Sequence, residues 1–389
     1  QTYLNGIKNI LKKNKMTIGI DMVGTSLGSG TKTYNLNFIK YLNKVNLNEQ
    51  AYIFTSKNYL NEVSKIDNKK IKYIVKPNLY SNIFLRFFWM QFLLPFELKK
   101  LKINKFYSPM NFGPLFLKFF KIKFILAVHS NLPWVYFSKM PGNLFRNYLT
   151  KFIMEASIYA CNTLIVDSNF AKKEIIEKLN LKEKKIFVIY LGIDIKYLTN
   201  ENKDYLNDFN YENYILSVFS CVRYHNIINL LKAFKLLKKE NASDLRYVIV
   251  LQVLDKRYFL DIKNYIKNNF QPNEIILLLD LDSNYLVNLY KKANLFLFSS
   301  YCEVFGLTSL EAMSQGCPVL ISNKSAIPEV NGNAAEYFDP DDVAQIKKNM
   351  EKIISNYNLR NDLIIKGNIH FKKFSWKKTL QETIQILDI

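Results

Sequence analysis

Short apolar runs alternate with longer amphipathic stretches along most of this chain, and that alternation narrows the folds open to it. Residues 16–23, 51–55, 71–75, 123–128, 163–167 and 185–189 read as strands. Helical patterns separate several of them, notably at 142–159 and 170–179. A second series follows: strands at 214–219, 245–251, 274–279, 293–298 and 318–321, with helices at 226–239, 259–268, 285–292 and 307–315. Antiparallel strands can turn back through tight hairpins, whereas parallel strands need a crossover of a dozen residues or more. The pattern therefore predicts α/β architecture: two doubly wound, Rossmann-like domains, mostly parallel, with helices on both sheet faces. The polar stretch 196–211 predicts a linker between residues 1–195 and 212–374. The tail 375–389 reads as a helix that could dock back on the first domain.

A length of 389 residues supports two domains of ordinary size. Cys161, Cys221, Cys302 and Cys317 show no Cys-x-x-Cys spacing and are too few for a disulfide framework, so a reducing, cytoplasmic setting is expected. Residues 1–15 are basic without the apolar run of a signal peptide. Residues 83–96 are apolar but short, and Arg86, Gln91 and Pro95 break them as a membrane span. The formal charge of +21 fits nucleic acid, an anionic membrane face or an anionic substrate. The lysines are scattered and no recognition module is present, which argues against nucleic acid. Bulky apolar residues interleave with bases at 83–100 and 115–123. That pattern suits the inner face of an anionic membrane, or equally a core with solvated lysines.

The segment with most chemistry runs from Ser300 to Leu320. Glu303 falls in a turn at the carboxyl end of a strand, and Glu311 lies early in the helix that follows. In open α/β sheets ligands bind at that edge. A helix start offers free N–H groups to an anion such as a diphosphate, and Gly306 lets the backbone approach closely. Ionised carboxylates on either side can accept bonds from sugar or ribose hydroxyls. Taken singly, Glu303 could be a plain turn residue and Glu311 a dipole partner.

The run from Glu303 to Pro318, with Ser322 to Val330 and Ala334 to Pro340 after it, closely resembles glycosyltransferase family 4. Its Glu-x7-Glu signature is met by Glu303 and Glu311. The likeness extends to Trp89-Met-Gln-Phe-Leu-Leu-Pro95, Ala127-Val-His-Ser130, Val166-Asp-Ser-Asn-Phe170, Tyr190-Leu-Gly-Ile-Asp194, Asn229-Leu-Leu-Lys-Ala-Phe234 and Phe374-Ser-Trp376. The resemblance implies the two-domain GT-B fold. It also implies a retaining, metal-independent hexosyltransferase without cofactor, nearest to mannosyltransferase-like enzymes of bacterial surface polysaccharide assembly. The partners implied are a nucleotide-sugar such as GDP-mannose or a UDP-hexose, and a glycan or lipid-linked oligosaccharide acceptor.

By position, Glu311 would bind the donor's ribose and Glu303 would face the transferred sugar. The amides of Phe305, Gly306, Leu307 and Thr308 would meet sugar hydroxyls and phosphate. His129, at a strand end, matches the family's active-site histidine. The loop with Gly28, Ser29 and Gly30 matches the glycine-rich turn near the diphosphate. One position departs: His225 stands where the family usually carries a phosphate-binding lysine, with Arg223 as a cation that could compensate. That departure supports an alternative, a non-catalytic nucleotide-sugar-binding relative or partner subunit of a transferase. Asp280-Leu-Asp282 imitates an Asp-x-Asp metal motif but reads as a loop with a nucleotide contact. Ser168 and Asn169 read as a helix cap, and His370 as a surface residue.

Overall fold

The computed structural model of the chain describes residues 17–24, 30–44, 47, 50–63, 69–140, 142–181, 185–194, 197, 213–240, 244–281 and 283–388. Two parallel sheets organise them. The first contains β1 (Ile18–Met22), β2 (Ala51–Ser56), β3 (Ile71–Lys76), β4 (Lys105–Ser108), β5 (Lys123–Val128), β6 (Thr163–Val166) and β7 (Lys185–Val188). The second contains β8 (Tyr214–Cys221), β9 (Arg246–Val253), β10 (Ile275–Leu279), β11 (Leu295–Phe298), β12 (Val319–Ser322) and β13 (Glu336–Phe338). Their orders are β3-β2-β1-β4-β5-β6-β7 and β10-β9-β8-β11-β12-β13. Every residue of β1, β11 and β12 is buried, as strands covered by helices on both faces require.

In each sheet the order reverses once, between β1 and β4 and between β8 and β11. Connections leave such a pair in opposite directions and open a crevice at the carboxyl ends of the strands. Glu303 follows β11 and His129 follows β5 directly. The fold thus delivers the chemistry-bearing segments to sheet ends, where backbone is free to meet a ligand.

Two strands escape the sequence pattern. Both β4 and β13 are very short, with four and three residues, and are held by neighbours on each side or by one register alone. The tail forms the helix Trp376–Leu387, which lies on the first domain. Ile193 bridges to Ser375, the Thr379 hydroxyl donates to the Tyr190 carbonyl at 2.7 Å, and Tyr34 meets Trp376 edge-on. At its far end the Lys105 ammonium donates to the carbonyls of Leu387 and Asp388.

His370 is not a surface residue. It closes the helix Tyr357–His370, is buried, and its Nε2 lies 2.7 Å from the Val330 carbonyl. Nothing near it in sequence signals that contact, which joins elements forty residues apart. The linker expected at 196–211 lies outside the described residues except for Tyr197, which is buried. Among the described residues, no helix is long and apolar enough to cross a membrane.

Candidate active site

One wall of the site is the loop after β11. Its course is fixed by two bonds to the loop after β8: the Tyr301 amide donates to the Tyr224 carbonyl at 2.9 Å, and Ser299 Oγ donates to the His225 carbonyl at 2.5 Å. The Glu303 amide then donates to Ser325 Oγ at 2.8 Å, and its carbonyl accepts from Ala326. Gly306 takes φ +94°, a conformation that disfavours side chains, and a Cβ built there would touch nothing within 4 Å. It precedes the helix Leu307–Ser314 with no side-chain cap, so the first-turn N–H groups are not closed off by a capping side chain. Phe305 is buried against Tyr190 and Phe374, anchoring the turn.

Glu311 is the fifth residue of that helix, at the position the sequence reading gives it. Tyr290 donates to its Oε2 at 3.3 Å. Burial first, then the negative charge of Glu311, push the phenols of Tyr290 and Tyr197 well above their ordinary range. Both therefore keep their protons and can donate to the carboxylate.

His225 does not stand open to the cleft. Its imidazole is buried among Phe219, Tyr224 and Phe298. Nδ1 sits 2.5 Å from the Ser220 carbonyl and Nε2 sits 3.3 Å from Glu303 Oε1. A carbonyl and an ionised carboxylate both only accept, so satisfying the two contacts takes a proton on each nitrogen or one on the carboxyl. Arg223 is also engaged elsewhere: its guanidinium pairs with Asp255 and Asp261 and lies over Tyr258.

The opposite wall belongs to the first domain. His129 Nδ1 lies 2.9 Å from both carboxylate oxygens of the buried Asp167, and its ring sits 4.4 Å from that of Tyr34. Its buried Nε2 has no hydrogen-bond partner. At the end of β1, Asp21 holds the buried Arg86 at 2.5 Å, and Gly24 takes φ +77° beside that guanidinium. Gly28 and Ser29 fall outside the described residues, while Gly30 opens the helix Gly30–Leu42.

Contacts across the gap bring the two walls together. Cys302 Sγ is 3.1 Å from Asn131 Oδ1, and Tyr136 stacks on Tyr301. Glu329 accepts from the amides of Asn169 and Phe170 at 2.7 and 2.8 Å and from the Tyr190 hydroxyl at 2.8 Å. It thereby joins Ser168, whose Oγ accepts from Ala171, in capping the helix Asn169–Leu179 from the other domain.

Between the walls lies a cleft of about 520 Å³. Thr308, Glu311 and Ser220 line it from one side, Lys32, Thr33 and Asn37 from the other. Val250, Leu251, Leu281 and Leu286 form an apolar part edged by Gln252 and Asp280. An apolar slot with a few polar edges suits a nucleobase, and the hydroxyl-accepting Glu311 suits a ribose. Lys32 is the one cation among the described lining residues. Glu303 and His129 lie outside this lining: Glu303 reaches it through His225 and Ser220, and His129 through Tyr34, next to Thr33. Sequence reasoning missed Lys32, Thr33, Asn37 and Gln252. Only their place on a helix or strand next to the crevice could have marked them. Asp282 is outside the described residues.

Residues 28–197 match the family model described as Glycosyltransferase Family 4, and residues 199–370 match the one described as Glycosyl transferases group 1. The chain is 28% identical over 244 residues to the O-antigen chain mannosyltransferase B of Escherichia coli, which covers 61% of this chain and 63% of that protein. It is 25% identical over 256 residues to the O-antigen chain mannosyltransferase RfbU of Salmonella typhimurium, covering 66% and 67%. Among solved structures, a glycosyltransferase from Rickettsia africae superposes with a TM-score of 0.70 at 20% identity, covering 96% of this chain and 98% of the other. A sucrose-phosphate synthase from Thermosynechococcus elongatus superposes at 0.76 with 16% identity, covering 96% and 98%. These likenesses give the chain the GT-B fold.

Proposed function

Because the chain belongs to glycosyltransferase family 4, we propose that it is a retaining hexosyltransferase. It moves a hexose, mannose by analogy with its named relatives, from a nucleotide-sugar to a hydroxyl of a lipid-linked glycan. The observation that carries this reading is the composition of the cleft: an apolar slot, Glu311, the uncapped start of Leu307–Ser314, and Lys32 facing them.

In this reading the nucleobase occupies the apolar slot and Glu311 accepts from the ribose. The diphosphate rests on the helix-start amides beside Gly306, where the helix dipole and Lys32 offset its charge. Lys32 is the cation in the cleft lining, whereas Arg223 is paired with Asp255 and Asp261 and His225 is turned to Ser220 and Glu303. Glu303, held by His225, faces the sugar, and His129 is oriented by Asp167 so that its unpartnered Nε2 can meet a sugar hydroxyl. The C1–O bond to phosphate breaks as the acceptor oxygen bonds to C1 on the same face, and the acceptor proton passes to the departing phosphate oxygen. Stabilising that leaving group is then the main catalytic contribution.

Transfer from radiolabelled GDP-mannose, and from UDP-hexoses, to a lipid-linked acceptor fraction tests the reading. Activity abolished in Glu303→Gln with an unchanged melting temperature supports an enzyme. Donor binding with no turnover on any acceptor would instead identify a non-catalytic binder.

A further inference from the structure

Beyond the transferase site, and independent of it, the first domain carries an outward aromatic surface. Its first part is residues 83–100, three consecutive helical pieces with a π-helical turn at Trp89–Leu93. The inner side, Trp89, Met90, Leu94 and Leu98, is buried in one core with Phe106 and Phe124 of the sheet. The outer side carries Phe84, Phe88, Phe92 and Phe96, each more than half exposed. At 3.6 residues per turn, a series spaced by four would drift round the axis by about 40° per step. The wider π-helical turn offsets that drift where it occurs, and the Phe88 and Phe92 rings lie 4.9 Å apart.

Two further segments extend the same layer. Phe96 meets Phe120 edge to face at 5.3 Å, next to Phe119, which is 82% exposed. The helix Leu144–Ala160 buries Ile153, Met154 and Ile158 and turns Phe145, Tyr148 and Phe152 outward in one stripe. Polar bonds stitch the pieces together: the Leu115 amide donates to the Gln91 carboxamide at 2.8 Å, and the Gly113 amide donates to Ser157 Oγ at 3.1 Å. Leu117 and Met154 share the core with Trp89, so all three segments rest on one support.

Charge identifies the occupant. Lys99, Lys100, Lys118, Lys121 and Arg146 stand exposed around these aromatics. The acids of the three segments each have a cation beside them: Glu97 pairs with Lys76, and Glu155, which accepts from Trp134 Nε1 at 2.8 Å, has the Lys151 ammonium 3.9 Å away. An aromatic surface of this extent with a basic rim and neutralised acids suits acyl chains and anionic headgroups together. We propose that the outer face of this helical layer docks the protein on an anionic lipid bilayer.

Flotation of the full chain with phosphatidylcholine vesicles, with and without phosphatidylglycerol, tests this. Binding is expected only with phosphatidylglycerol, weakening as salt rises. Replacing Phe88, Phe92 and Phe152 together by Ser should lower it by about tenfold or more while the melting temperature stays put, since all three are exposed. A second variant, Lys99→Glu with Lys118→Glu, should lower it independently. Equal binding by the serine variant, or equal binding to neutral vesicles, would overturn the proposal. So would a wild type that ignores vesicles and runs as a dimer which the serine variant converts to monomer.

Discussion

Lys32 and Glu311 face each other across the cleft with opposite charges, and the proposed chemistry assigns them opposite halves of the donor. Removing the lysine leaves the leaving diphosphate with helix amides alone. We expect Lys32→Ala to lower kcat by about 10²–10³-fold, the effect typical of losing one preorganised electrostatic group. Lys32→Arg should retain most activity, and steady-state kinetics on both variants checks the pair. For His225 the relevant partner is Glu303 rather than the phosphate. His225→Lys places an ammonium where the imidazole meets Glu303 and should match or exceed wild-type turnover near pH 8, whereas His225→Ala should not; a dead lysine variant would assign the imidazole a separate task. Glu303 and Glu311 drew notice in the sequence because their spacing is local, and of the two Glu311 lines the cleft. Lys32 drew none, because one lysine among 54 basic residues carries no mark until a neighbouring domain faces it.

At the scale of elements, one contact between the domains and one between the first domain and the tail helix can be tested separately. Glu329 serves as an acceptor for two backbone amides and a phenol of the other domain, and burial first, then the hydrogen bond to Glu329, push the Tyr190 hydroxyl up to about 12. Hydrogen bonds to a charged group contribute about 1.5–3 kcal/mol. Glu329→Ala should therefore lower the melting temperature and weaken donor binding together, with Glu329→Gln recovering part of both. Gly192 is the second: a Cβ there would lie 1.9 Å from the Trp376 amide nitrogen. Gly192→Ala should cost about 1–3 kcal/mol in urea unfolding and expose the tail helix to limited proteolysis. Parallel strands in the middle of each sheet were visible as apolar runs, and the strand at Lys123–Val128 and the tail helix at Trp376–Leu387 fall where the pattern puts them. Strands β4 and β13 were not, since each offers only two consecutive apolar residues, whereas the equally short β6, β7, β11 and β12 offer three or four. The buried contact of His370 is set by tertiary packing alone.

For the whole molecule, two sheets meet at one cleft lined from both, and the proposed function assigns the nucleotide to the second half and the acceptor to the first. Among the described residues no group of three or more His, Cys, Asp or Glu is placed to hold a metal ion. Because the proposed function gives the charge of the leaving diphosphate to Lys32 and the helix start, transfer is expected to persist in EDTA, and a loss restored by magnesium would count against that assignment. All of this depends on a nucleoside diphosphate settling against the open backbone at Gly306 with Glu311 beneath its sugar ring. Calorimetric titration of GDP-mannose and UDP-hexoses into the wild type and Glu311→Ala tests that most directly. The account predicts one donor bound by the wild type and at least about tenfold more weakly by the variant, as expected when a charged acceptor of buried hydroxyls is removed. Equal affinity for that donor in both proteins, with both folded, would contradict it.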